Sequence, residues 1–290
     1  MMVGASSITR VQKRKETVPK VILCLILLAV MAVFLFPIYL VIISSFKSKP
    51  ELAQSILSLP QSFAYMENFS AAMKTINFWT SLRNTIVCTF PSVALVVLAS
   101  SMGGYAIAKH GEESRLIKGM DMFYLASMMI PFQVLMIPVY KLYKTMGLQN
   151  THLGMILMLT GTSIAYSTFL YVGFAKTVPQ ELESAAMIDG CGPFRAFFRI
   201  IFPLMGPITA TVAALHIMWF WNDFNIALIL LQRDSIRTLT VKQFYFFGQY
   251  RADYGMAFAA ALLSMVPVLA FFVLMQRYIV EGVAAGAVKS

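Results

Sequence analysis

A chain of 290 residues with 59% hydrophobic and only 12% charged residues is not built to meet water on all sides, since soluble domains carry about 25% charged residues. Its net charge of +10 comes from 23 Lys and Arg against 13 Asp and Glu, but these basic residues stand between apolar runs and form no aromatic-studded stripe, which excludes a nucleic-acid face. Cys24, Cys88 and Cys191 lie far apart without metal-ligand spacing, so neither a metal centre nor a disulfide framework is implied.

Crossing about 30 Å of hydrocarbon takes roughly 20 apolar residues, and six stretches qualify. The first, Val21 to Ile43, follows a short segment, residues 1–20, that holds Arg10, Lys13, Arg14, Lys15 and Lys20 against Glu16. That cluster predicts a cytoplasmic N-terminus, and with six spans the C-terminus is cytoplasmic too. The run is too long for the apolar core of a signal peptide, about 7–15 residues, and no small-residue cleavage site follows it. It reads as a retained first helix. The segment Ser44 to Asn84 then lies outside, and within it Asn68-Phe69-Ser70 matches a glycosylation acceptor.

The second span is Thr85 to Ile107 and the third Met122 to Tyr140. Pro131 and Pro138 predict a kink in the third, tolerated where neighbouring helices satisfy the freed carbonyls. The fourth runs from Leu153 to Phe174, the fifth from Ile208 to Leu231 and the sixth from Ala257 to Met275. The expected fold is an all-α integral membrane domain over residues 21–290. Within these spans Asp223 is the one formally charged residue. A carrier driven by protons or sodium places more ionisable groups at the midplane, so the energy source is expected elsewhere.

Between the fourth and fifth spans, Thr177 to Pro207 reads as two short helices joined by a tight turn. Thr177 and Gln180 have capping-box spacing, and Pro179 suits a first turn. The first helix is predicted to end near Ile188. Gly190 and Gly192 then supply a turn with positive φ, and Pro193 starts a second helix that ends before Pro203. On that helix Phe194, Phe197, Phe198 and Ile201 share one face, and Arg195 and Arg199 another. By periodicity alone, a loop helix lying apolar face down on the membrane fits equally well.

On the fifth span His216, Trp219, Phe220 and Asp223 fall on one helical face with Asn222 beside it. Two readings fit: packing against neighbouring helices, or the lining of a hydrated cavity in which rings meet C–H faces and the acid and amide meet hydroxyls. The outer stretch Lys242 to Gly255 is unusually aromatic, which suits either an interfacial segment or a docking surface. No catalytic constellation is present: there is no HExxH, no GxSxG and no aspartate-rich metal motif. The tail Gly282 to Ser290 lacks the Gly-Lys pair of a phosphate loop.

The stretch ESAAMIDGCGPFRAFFRIIFPL resembles the coupling loop of ABC importer permeases through Ala185, Ala186, Asp189, Gly190, Ile200 and Pro203. Where the family has Glu before the paired alanines, this chain has Ser184, with Glu183 preceding it. WFWNDF at Trp219 to Phe224, NFWTSLRNT before the second span and the tail QRYIVEGVAAGAVKS are similar to the shorter permease subunit of carbohydrate-uptake, maltose-type transporters.

The resemblance implies a non-enzymatic subunit of the bacterial cytoplasmic membrane that imports a sugar or oligosaccharide. It implies a second homologous permease, an extracytoplasmic sugar-binding protein, and two ATPase subunits that carry the ATP and Mg. This chain itself is expected to bind no cofactor. The same loop is expected to couple to the ATPase through Glu183, Ala185, Ala186, Asp189, Gly190, Ile200 and Pro203. His216, Trp219, Asn222 and Asp223 become pathway candidates, and Phe247, Gly248, Gln249 and Tyr250 candidates for contact with the binding protein. A permease for another solute, such as a polyamine or phosphonate, and an ATP-independent carrier are the alternatives.

Overall fold

The computed structural model describes residues 5–246 and 253–287, and among them it contains helices and no strands. Helix α1 runs unbroken over Ala5–Ser45, and Ile22–Ser45 is its membrane-length part. Two short helices follow, α2 over Lys49–Gln54 and α3 over Glu67–Thr75. Long helices α4 over Phe78–His110 and α7 over His152–Ala175 flank a broken pair, α5 over Arg115–Met128 and α6 over Phe132–Thr145. The last described helix is α14 over Tyr254–Ala287.

Four helices are long and apolar enough to cross a membrane, and two bent pairs bring the number of crossings to six if each pair counts as one. The kink expected in the third span is a full break of 103° between α5 and α6. Pro131 caps α6 with ψ 135, and a proline drives the residue before it out of the helical region. Pro138, by contrast, sits inside α6, as Pro91 does inside α4.

The fifth span also differs from expectation. Its helix α11 covers Gly206–Trp221, and after Asn222–Phe224 a separate short helix, α12, covers Asn225–Leu230. Asp223 explains the interruption: its Oδ1 accepts the backbone N–H of Ala227 at 2.9 Å, so the carboxylate caps α12. Beyond it, α13 spans Leu239–Gln243.

The core of the bundle is the α4–α7 pair. Ser92 Oγ lies 3.4 Å from the Ile156 carbonyl and Ser100 Oγ 3.2 Å from that of Ile164, both with an offset of 64 residues. A constant offset means that the two helices run parallel and in register. Small residues allow that approach: a Cβ on Gly104 would stand 2.5 Å from Cβ of Tyr171 and 3.1 Å from the Thr168 carbonyl oxygen. Helix α11 runs the opposite way, with Tyr171 bonded to Thr209 and Ser167 to His216.

One end of the bundle is knitted by side chains that bond backbone. Asn84 donates to the carbonyls of Ser235 and Arg237, and Thr85 accepts the N–H of Leu239. Asn68, whose sequence matches a glycosylation acceptor, is buried and donates to the Ser45 and Lys47 carbonyls, which leaves no free amide to modify. Lys47 is fully buried, its ammonium bonded to the carbonyls of Ser55 and Ile56 past the end of α2.

Candidate functional site: the segment between α7 and α11

At the other end of the bundle the chain leaves α7 and forms the helix–turn–helix expected from sequence. Helix α8 covers Gln180–Ile188. The capping box anticipated from Thr177 and Gln180 does not form: Pro179 occupies the N-cap, and the Thr177 hydroxyl donates to the Phe174 carbonyl instead. The exit from α8 is a Schellman turn, with Cys191 N–H bonded to the Ala186 carbonyl at 2.9 Å and Gly190 N–H to that of Met187 at 3.0 Å. Gly190 has φ +79, as its position in that motif requires. Gly192 has φ −68 and is extended, so only one of the two glycines supplies a positive φ.

Pro193 starts α9, Pro193–Ala196, as expected, but the second helix does not stop before Pro203. It widens into a π turn over Phe197–Ile201 and continues as α10, Phe202–Leu204. Proline lacks an N–H and its ring strikes the carbonyl four residues back in an ordinary α-helix. The wide turn, closed by Phe202 N–H on the Phe197 carbonyl, brings Pro203 into the helix. The segment then bends by 77° into α11.

The π turn divides the expected aromatic face. Phe197 and Ile201 are buried, whereas Phe194 and Phe198 are exposed. Ile188 is 86% and Phe194 68% exposed, so the tip of the helix–turn–helix presents apolar side chains that the described residues leave uncovered. Around them Ala185, Asp189 and Pro203 are exposed, Ile200 is half-buried and Ala186 is packed inside.

Glu183 points the other way. It is 5% exposed, and its carboxylate accepts hydrogen bonds from the Tyr105 hydroxyl and the Lys109 ammonium, both on the last turns of α4. Burial alone would push this carboxyl up, but the bonds from Lys109 and Tyr105 and the lysine charge outweigh it and hold it below the usual carboxylate range. Ser184, at the position of the motif glutamate, is exposed and bonds only to the Gln180 carbonyl within its own helix. Tyr105 and Lys109 were not singled out from sequence. Their i, i+4 spacing at the end of an apolar run was the available signal.

The four candidates on α11 separate into two environments. His216 is fully buried: its Nδ1 bonds the Val212 carbonyl at 2.8 Å, which fixes that nitrogen as the donor, so Nε2 accepts from Ser167 at 3.1 Å. It packs against α7, which covers that half of the face. Trp219, Asn222 and Asp223 do line a common cavity with Leu215, Met218, Phe224 and Asn225. Trp219 is 49% exposed and rests its ring on Tyr166 of α7 at 5.4 Å and on His216 at 5.2 Å. Phe247, Gly248, Gln249 and Tyr250 lie outside the described residues. The preceding loop is held by Asp234, which takes bonds from the buried Lys242 and from Tyr245.

Comparison with known proteins gives this geometry a context. Residues 96–284 match the family described as the binding-protein-dependent transport system inner membrane component. The chain is 35% identical over 276 residues to the probable starch degradation products transport system permease protein AmyC of Thermoanaerobacterium thermosulfurigenes, covering 95% of this chain and 99% of that one. It is 34% identical to the melibiose/raffinose/stachyose import permease protein MelC of Bacillus subtilis, covering 87% and 91%. In fold it is similar to a chain from the crystal structure of a bacterial ABC transporter involved in the import of the acidic polysaccharide alginate. The TM-score is 0.79 at 20% identity, over 91% of this chain and 98% of that one. With more than half of its length inside the family match and 35% identity to a relative over 95% of the chain, this chain belongs to the inner-membrane component family of binding-protein-dependent transport systems.

Proposed function

We propose that the chain is one of two permease subunits of an ABC importer that moves a sugar or oligosaccharide into the cytoplasm. The observation that carries this reading is identity above 30%, over most of the chain, to permeases named for starch products and for melibiose, raffinose and stachyose. The N-terminus lies in the cytoplasm, as its basic cluster dictates, and each bent pair makes one crossing, giving six. The parallel register of α4 and α7 supports that count, since the chain between them must return once.

In this assembly the apolar tip around Ile188 and Phe194 docks on a separate ATPase, one for each permease, and ATP and Mg reside there. Exposed isoleucine and phenylalanine on a rigid turn are suited to fill a cleft of a partner. Sugar delivered by an extracytoplasmic binding protein passes the cavity of Trp219, Asn222 and Asp223. An exposed amide, Asn222, beside a half-buried carboxylate, Asp223, within a membrane segment belongs beside water, not lipid, and the Trp219–Tyr166 pair offers ring faces to the C–H faces of a pyranose.

The test is uptake of labelled raffinose and maltotriose by the native host with and without this gene, together with the subunits that co-purify with a tagged copy. Loss of uptake on deletion, and recovery of a second permease with an ATPase, is the expected result. A chain that purifies alone and moves solute in liposomes without ATP overturns the reading.

A further inference from the structure

We infer that Glu183 is a positioning residue that ties the α8 helix to the end of α4, so that a displacement of α8 is delivered to the α4–α7 pair as well as along the chain to α11. The inference rests on the importer reading above and adds to it the route by which motion enters the bundle. By sequence α8 is joined only to α7 and α9, and its backbone packs on α9 and the π turn. Its tie to α4 is made by side chains. Glu183 supplies it, spanning 78 residues of sequence to Tyr105.

Three features make this tie a firm one. The carboxylate is held from two sides, by a charged and a neutral donor spaced one helical turn apart on α4. It is shielded, the Glu183 side chain being 7% and that of Lys109 23% exposed, so water competes poorly. Tyr105 is itself braced, its ring 5.7 Å from that of buried Phe197 in the π turn. Beyond the tie, α4 and α7 are locked by Gly104 and by the two serine–carbonyl contacts, and the far end of α4 bonds the loop 235–239 through Asn84 and Thr85. A shift of α8 therefore reaches the opposite end of the bundle through one helix.

The experiment uses the whole transporter in proteoliposomes with its ATPase and binding protein, and reads uptake, ATP hydrolysis and ATPase co-purification. Glu183→Gln and Tyr105→Phe are expected to keep the ATPase bound while uptake per ATP hydrolysed falls about tenfold, in the range of ordinary coupling between sites. The exchanged pair Glu183→Lys with Lys109→Glu is expected to recover uptake to within a few-fold of wild type. Wild-type uptake per ATP in Glu183→Gln overturns the inference. So does an exchanged pair that assembles yet is as defective as Glu183→Lys alone. If Glu183→Gln fails to accumulate, Tyr105→Phe and the exchanged pair decide between the same two outcomes. A wild-type complex that binds no ATPase or imports no sugar refutes the importer reading instead, which separates the two failures.

Discussion

Gly104→Ala and Gly103→Ala are adjacent, chemically identical substitutions that should move stability in opposite directions. In an exposed helix either change stabilises by about 1 kcal/mol through helix propensity. At Gly103 the new methyl group meets only Thr168 side-chain atoms at 3.9 Å and 4.0 Å, an ordinary contact, so the propensity gain survives. At Gly104 it would stand 2.5 Å from Tyr171 Cβ and 3.1 Å from both a carbonyl oxygen and an amide nitrogen of α7. Carbon atoms rest about 3.5–4.0 Å apart, so the helices must separate by about 1 Å. Tyr171 cannot yield, being fully buried with its hydroxyl bonded to Thr209 at 3.0 Å. Separation also breaks the Ser92 and Ser100 contacts, already at 3.4 Å and 3.2 Å. Overpacking costs about 1–3 kcal/mol and each lost hydrogen bond about 0.5–1.5 kcal/mol. After the propensity gain, Gly104→Ala should be destabilised by roughly 1–5 kcal/mol. Equilibrium unfolding in mixed micelles, followed by tryptophan fluorescence, measures both variants against wild type. Equal stability of the two would refute the close parallel packing of α4 on α7.

Gly190→Ala meets no atom within 4 Å, so its cost is purely the left-handed backbone at φ +79, about 1–2 kcal/mol; faster proteolytic cleavage between α8 and α9 and weaker recovery of the ATPase are the expected signs. Trp219→Ala and Asp223→Asn should each lower sugar uptake by tenfold or more, the first by removing a cavity wall and the second by weakening the cap on α12; transport at wild-type rate and specificity in both would remove these residues from the pathway. The Glu183 carboxyl is held below its ordinary value, so its contribution is complete above the unfolded value near 4.3 and is lost only as pH falls through the lower folded value. Protection of the 177–207 segment from proteolysis should accordingly be flat between pH 8 and about pH 5 and weaken below about pH 4 in wild type but not in Glu183→Gln. Protection lost between pH 7 and pH 5 would contradict the tie to Lys109 and Tyr105.

Local rules made the helix–turn–helix legible. Gly190 and Pro193 each act through their own backbone, and the apolar runs from Thr85 to Ile107 and from Leu153 to Phe174 lie inside α4 and α7, although α4 starts well before Thr85, at Phe78. The features that escaped depend on groups distant in sequence or on a conflict between neighbours. The apolar run from Ile208 to Leu231 is long enough to read as one span despite Asn222 and Asp223, because averaged hydropathy does not show that the Asp223 side chain turns to cap a new helix. Helical-wheel arithmetic put His216 with Trp219, yet which half of that face is covered depends on where α7 lies. Glu183 could be placed on α8 from sequence, but not its direction, since Tyr105 and Lys109 belong to a helix that ends before α7 begins.

The π turn at Phe197–Ile201 has a consequence for how this segment tolerates change. In an ordinary α-helix, residues four apart drift by about 40° around the axis, and two such steps by about 80°. A wider turn cancels much of that drift, and Phe197 and Ile201 accordingly share one buried face, at 6% and 1% exposure. The extra residue is thus a built-in insertion that the wide turn absorbs, keeping the rotational phase between the exposed tip and α11. Removing the one extra residue would let regular winding return with little change of phase, whereas removing a second would swing the tip by about 100°, turning Ile188 and Phe194 away from whatever they meet. Length, at this point in the chain, is as much a determinant of docking as residue identity.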